Sequence, residues 1–215
     1  MSRKAFDIEK ASFELIDAEV GNHGYSAAEW PIVRRVIHAT ADFDFAVDRN
    51  NKLVFHPKAL GSAFDAIRNK CTIVTDVEMV IAAINKKSVS DLGLETACYI
   101  SDKEVIEKAR SAGMTRSEVA MRHAAVDMDG GIVAVGNAPT ALYEVLKMVK
   151  EEVASPALII GIPVGFVSAV ESKQELLRTA SIPFITNAGR KGGSSVAGSI
   201  INAIMLLYQS RQLSS

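Results

Sequence analysis

Cysteine is nearly absent from the chain: Cys71 and Cys98 are the only two among 215 residues. Two residues make no disulfide framework, and they lack the CxxC spacing of a metal site. Both sit among apolar neighbours, which predicts reduced core thiols in a cytosolic protein. An excess of charge of either sign is missing too. With 24 basic against 25 acidic groups and a net charge of −1, nothing draws the whole molecule toward nucleic acid or an anionic membrane. A local basic pocket for an acidic small molecule is compatible with that balance. Long hydrophobic runs are also absent. The longest weakly polar stretch, 156–170, is too short to span a bilayer and contains Pro156, Gly161, Pro163 and Gly165. The opening Met1-Ser-Arg-Lys-Ala-Phe-Asp has no apolar stretch of a secretory signal. The expectation is a soluble cytoplasmic protein with no membrane and no nucleic-acid partner.

Several chemical signatures are missing as well. There is no GxxxxGK[ST] phosphate loop and no GxGxxG dinucleotide fingerprint. No GxSxG nucleophile elbow occurs, and no His/Cys/Asp/Glu cluster has metal-ligand spacing. The residues call for no covalent nucleophile, no cofactor and no protein-held metal.

What is present suffices for a core: 48% of residues are hydrophobic and 23% charged, a balance that argues against disorder. Without a repeat, a low-complexity tract or a Pro/Gly/Ser-rich linker, one domain over 1–215 is expected. Ile8, Ala11, Leu15 and Ala18 recur at helical spacing in the first segment. Val33, Val36, Ile37 and Thr40 mark one face of a second helix. Its start is ambiguous, because Ser26 and Glu29 have capping-box spacing while Pro31 suits a later first turn. Runs at 43–47 and 52–55 look like two strands joined by a polar turn. His56-Pro57 opens a helix through Ile67. Alternation follows: a strand at 71–74, a helix capped by Thr75 and Glu78, a strand at 96–100, a helix over 102–112, and another capped by Thr115 and Glu118. Short apolar strands at 132–135, 157–160 and 183–185 each lead through a glycine-containing loop into a helix. Such alternation predicts an α/β fold, a single domain with a largely parallel central sheet and helices on both faces. Function is then expected at the carboxyl ends of the strands, in the loops beginning at Thr75, Gly136, Gly161 and Asn187.

Three of these loops carry candidate binding features. Gly136-Asn-Ala-Pro-Thr-Ala-Leu offers a helix N-terminus whose free N–H groups suit an anion, though an ordinary strand-to-helix turn fits the same residues. Gly161-Ile-Pro-Val-Gly-Phe-Val-Ser-Ala-Val-Glu-Ser-Lys adds Ile162, Val164 and Phe166 as an apolar wall, a mixture suited to a large amphipathic ligand. In Asn187-Ala-Gly-Arg-Lys-Gly-Gly-Ser-Ser, glycines beside Arg190 and Lys191 look like an anion cradle or a solvated basic loop.

Among four histidines, His38 stands apart. It falls opposite the apolar face of its helix, with Arg34 and Arg35 one turn before it. Neighbouring guanidinium charges disfavour the imidazolium, and a neutral imidazole can exchange protons near neutral pH. An exposed helix histidine on a charged face is the plain alternative. Ser12 lies on the apolar stripe of the first helix, so its hydroxyl needs a carbonyl or a ligand. Arg116 follows the capping Thr115, where acidic side chains are preferred. A cation there makes sense beside a bound anion, or as a solvated side chain.

Arg35-Val-Ile-His-Ala, Asp76-Val-Glu-Met-Val, Thr115-Arg-Ser, Gly136-Asn-Ala-Pro-Thr-Ala-Leu, the 161–173 segment and Gly189-Arg-Lys-Gly-Gly-Ser together resemble the precorrin-8X methylmutase family, also called cobalt-precorrin-8 methylmutase. The matching segments keep family order over about 8–207. The resemblance implies a cofactor-free isomerase of corrin (cobalamin) biosynthesis. It would move a methyl group from C-11 to C-12 of a tetrapyrrole, precorrin-8X or cobalt-precorrin-8, to give hydrogenobyrinic or cobyrinic acid. By the same resemblance, His38 is the proton donor and acceptor, Ser12, Arg35 and Arg116 contact substrate, and the protein is a homodimer with sites near the subunit interface. Two other classes compete: a methyl-donor-dependent transferase, told apart by binding S-adenosylmethionine, and a corrinoid carrier, told apart by the absence of turnover.

Overall fold

In the computed structural model, which describes residues 3–179 and 181–213, six short strands form one sheet ordered β1-β6-β5-β4-β2-β3. The strands are β1 (Val54–Phe55), β2 (Thr72–Thr75), β3 (Glu95–Ala97), β4 (Ile132–Val135), β5 (Leu158–Gly161) and β6 (Phe184–Thr186). All neighbours run parallel except β1, which pairs antiparallel with β6. The expected α/β architecture is therefore the observed one.

Strand alternation explains why both faces are apolar. Ile73, Ile132, Ala134, Leu158, Ile160 and Ile185 point into one core. Their strand neighbours Val74, Val133, Val135, Ile159 and Phe184 point into the other. The first core is covered by α2 (Trp30–Thr40), α4 (Ala59–Arg68), α5 (Glu78–Ala83), α6 (Lys86–Leu92) and the long α11 (Ser194–Gln212). α1 (Arg3–Val20) and α3 (Asp44–Val47) flank this layer. The second core lies under α8 (Arg116–His123), α9 (Pro139–Lys150) and α10 (Ala169–Arg178). α7 (Lys103–Ala112) packs on α8 through Val105, Ala109, Val119 and Ala120.

Several local expectations need correction. The 43–47 run is helical, because an Asp42 carboxylate accepts the Asp44 N–H and starts α3. The polar turn after it exists, with Asp48 accepting the amides of Asn50 and Asn51. Val54 and Phe55 pair with β6, however, so there is no hairpin. Thr75 ends β2, and its hydroxyl donates to the Val77 carbonyl instead of capping α5. β3 stops at Ala97, and Tyr99 beyond it donates to Asp127 at 2.6 Å. Thr115 and Glu118 do form the capping box of α8. At α2 both readings hold in part: Ser26 and Glu29 bond reciprocally, and the helix starts after them with Pro31 in its first turn.

The largest revision concerns α1. Ile8, Ala11, Leu15 and Ala18 are all exposed. Its packed face is a second apolar stripe, Phe13, Ile16 and Val20, set against the first core. One helix carries two apolar faces, and periodicity alone cannot rank them.

Candidate active site

α1 and α2 meet so that Ser12 and His38 line one open pocket of about 220 Å3, with Leu15, Ile16, Ile37, Ala41 and Phe43. The helical geometry of α2 buries Ile32, Val33, Val36 and Ile37, which leaves His38 on the exposed side. The Ser12 hydroxyl has no hydrogen-bond partner among the described residues, so it is not spent on a backbone carbonyl.

Phe13 organises the charges around this pocket. The His38 ring meets its edge, with centroids 5.2 Å apart and planes at 63°. The guanidinium carbons of Arg34 and Arg35 lie 4.4 and 4.8 Å from its centroid. Stacked cations of this kind gain from the ring quadrupole. Arg34 also donates to Asp17 at 2.7 Å, and Arg35 pairs with Glu9. Each guanidinium is therefore matched by a carboxylate. Arg35 lines a second pocket, about 240 Å3, on the side of Phe13 that faces α11.

Arg116 is elsewhere. It is the first residue of α8, in the opposite helical layer, exposed and without an ion pair among the described residues. Its neighbours Thr115 and Ser117 bond to Thr140 at the start of α9, which places it beside the 136–138 turn. Ser12 and His38 share one pocket, Arg35 is joined to them only through the Phe13 ring, and Arg116 does not join them within the chain.

The glycine loops prove to be occupied by the protein itself. The N–H groups of Gly136, Asn137 and Ala138 donate to the carboxylate of Asp76, at 2.9, 2.8 and 2.7 Å. The anion at that helix N-terminus is thus a buried side chain at the end of β2. Burial pushes the Asp76 carboxyl up, against the pull of the three amides. In the 187–193 loop, the Lys191 ammonium is held by Asp42 and Asp44 at 2.6 and 2.7 Å. A side-chain carbon at Gly189 or Gly192 would overlap Asn51 or the Ile162 carbonyl. These glycines serve close backbone packing.

Arg190 remains exposed, 5.7 Å from the centroid of the exposed Phe166. It borders an open cavity of about 490 Å3 that has both polar and apolar walls, Asn50, Asn51 and Gln174 beside Val170. Of the expected apolar wall, Val164 and Phe166 are exposed, whereas Ile162 is buried. Both cysteines are free; burial pushes Cys71 up to about 11, and Cys98 also lies above its usual range through burial. Among the described residues no helix is long and apolar enough to cross a membrane.

Sequence reasoning missed Phe13 and Glu9, and it gave Asp76 and Lys173 no role beyond their place in the quoted segments. Asp76 had one signal, an acidic residue directly after a buried strand where a helix N-terminus from the next strand arrives. Phe13 had none, because its role depends on which face of α1 is packed.

The Precorrin-8X methylmutase family model matches residues 7–207. A cobalt-precorrin-8 methylmutase of Priestia megaterium is 47% identical over 203 residues, covering 94% of this chain and 88% of the relative. One from Leptospira interrogans is 43% identical, covering 95% of this chain and 94% of the relative. The crystal structure of precorrin-8x methyl mutase from Thermus thermophilus superposes with a TM-score of 0.86 at 36% identity, covering 95% of this chain and 98% of that one.

Proposed function

The chain belongs to the precorrin-8X methylmutase family, and we propose that His38 exchanges the proton that drives its methyl migration. The reaction is an isomerisation of corrin biosynthesis. The bond from C-11 to the methyl group breaks and the bond to C-12 forms, giving hydrogenobyrinic acid from precorrin-8X or cobyrinic acid from cobalt-precorrin-8. The Priestia megaterium and Leptospira interrogans relatives, and two more at 42% and 43% identity, are cobalt-precorrin-8 methylmutases, which favours the cobalt-carrying substrate for this protein. The chain would act as one methylmutase-like α/β domain over 1–215, in the cytoplasm.

The observation that carries the proposal is the shared pocket of Ser12 and His38. An imidazole with an exposed ring and no hydrogen-bond partner among the described residues can give a proton to the macrocycle and take it back. Protonation makes the ring electron-poor and eases a sigmatropic methyl shift; loss of the same proton restores the conjugated product. No atom is gained or lost. The Ser12 hydroxyl is free to bond a polar edge of the substrate. Arg35 and Arg116 would hold its carboxylates, for which guanidinium geometry is suited.

A pocket of about 220 Å3 is smaller than the range usual for even drug-sized ligands, so the macrocycle needs further walls. Leu15 of its lining and Ile8, one turn before Ser12 on α1, are exposed at 63% and 58%. We infer that a second copy of the chain covers this stripe and closes the site, and that Arg116 reaches substrate in such a homodimer. Exposed apolar stripes of this kind mark association surfaces.

The test is an absorption spectrum of the purified protein after co-expression with the upstream corrin enzymes. Wild type should show an orange, corrin-like product spectrum that His38→Ala loses. A precursor spectrum retained by both would favour a carrier. Wild-type turnover in His38→Ala would overturn the acid–base role.

A further inference from the structure

Lys173, on α10, is the one lysine or arginine among the described residues that is fully buried, and the proposed chemistry does not touch it. Its Nζ donates to Asn187 Oδ1 at 2.7 Å and to the Lys191 carbonyl at 2.9 Å. Asn187, buried too, donates from Nδ2 to the carbonyls of Asn51 and Lys191 at 3.2 and 3.0 Å. The loop has closed over an amine. The Lys191 side chain then runs outward to Asp42 and Asp44, at the corner just past His38.

We propose that Lys173 is a positioning residue: it sets the 187–191 loop through Asn187 and the Lys191 carbonyl, and the Lys191 ion pairs with Asp42 and Asp44 make that loop hold the end of the helix that carries His38. The inference rests on the reading of His38 as the proton-exchanging group. The charge state of the amine is part of the device. Two acceptors face Lys173 and no carboxylate does. A neutral amine matches both with its two N–H groups, whereas an ammonium has a third with no partner among the described residues. Burial pushes Lys173 down to about 7.

The surrounding charges do not oppose this. Glu171 and Glu175 on α10 bear on Tyr143 of α9, and Glu144 of α9 is paired with Arg122. β6 presents the neutral Thr186, next to Asn187. In the 48–52 turn Asp48 accepts backbone amides, and Arg49 and Lys52 are exposed. In the loop, Arg190 lies by Phe166 and the Lys191 ammonium is paired with acids.

Amide hydrogen exchange on the full-length protein tests the proposal, at about pH 8.5 and about pH 6 and corrected for intrinsic rates. In Lys173→Met the 187–193 and 38–44 segments should exchange about tenfold faster at the higher pH, with β4 and β5 unchanged. Lowering the pH should accelerate the same segments in wild type and not in the variant. Lys191→Ala, a change at a partly exposed side chain, should accelerate 38–44 and spare Asn187, which keeps the test open if Lys173→Met fails to fold. Turnover number in Lys191→Ala should fall about tenfold with KM little changed, since small misplacements of a reacting group cost that much or more. Unchanged exchange over 38–44 in both variants would overturn the positioning role. Full turnover in His38→Ala would overturn the reading beneath it and leave the exchange pattern standing, so the two failures are distinguishable.

Discussion

The 136–138 turn and the 187–191 loop stand at the carboxyl ends of two parallel strands of one mostly parallel sheet, and in sequence both look like cradles for an anionic ligand. The structure fills them with side chains of its own, one an acceptor and the other a donor. Asp76 takes the three free amides of the first, and Lys173 takes the acceptors of the second. A glycine-rich loop beside a strand end is therefore as well suited to receiving a buried side chain as a substrate. The open groups lie at the α1–α2 corner, where Ser12 and His38 have no hydrogen-bond partner among the described residues.

That contrast can be broken from either side. Asp76→Ala should cost the most, about 4 kcal/mol, because it leaves a buried carboxylate's place empty and orphans three amides at once, the buried Gly136 N–H among them; chemical denaturation that finds under about 1 kcal/mol would show that the turn does not depend on its carboxylate. Lys173 should act with the opposite pH sense to Asp76, whose carboxyl is pushed up by burial. Its folded value, about 7, lies below the ordinary lysine value of 10.5, so the unfolded state binds more protons between them. Wild type should accordingly gain stability on Lys173→Met as pH rises through that window, by about 1.4 kcal/mol per pH unit, and lose that gain as pH falls toward the folded value. Parallel stability curves for the two proteins would contradict the buried neutral amine.

Smaller effects sharpen the account of the open corner. Leu15→Glu should weaken self-association by about 2 kcal/mol or more through lost apolar burial and an added charge, seen as monomer in sedimentation where wild type is a dimer. A dimer of unchanged strength would place the interface off α1. Arg35→Ala should raise KM about tenfold, near 1.4 kcal/mol, with turnover number less affected. Phe166→Ser should leave stability within about 0.5 kcal/mol, as its ring is exposed, and its effect should be confined to substrate affinity.

The sheet was legible in the sequence because its strands are short continuous apolar runs, such as Ile132 to Val135, and each is bounded by glycine or polar residues. The capping box at Thr115 and Glu118 was legible because it depends on four consecutive residues. The orientation of α1 was not, since Phe13-Ile16-Val20 and Ile8-Leu15 are both apolar at helical spacing and only tertiary packing chooses between them. Asp76 and Lys173 were given no role for a related reason. Their partners are 60 to 62 and 14 to 18 residues away along the chain, beyond any local pattern. Ser12, Arg35 and His38 were named residue by residue, yet the ring of Phe13 that joins the cations and the imidazole came only from the fold.

The most direct test of where the chemistry resides uses the four histidines as reporters. Protein labelled at the imidazole nitrogens would be titrated with the corrin product and followed by NMR. The His38 resonances should shift on binding while those of His23, His56 and His123 stay in place. A silent His38 beside a shifting His56 or His123 would contradict the assignment and move the site away from the α1–α2 corner.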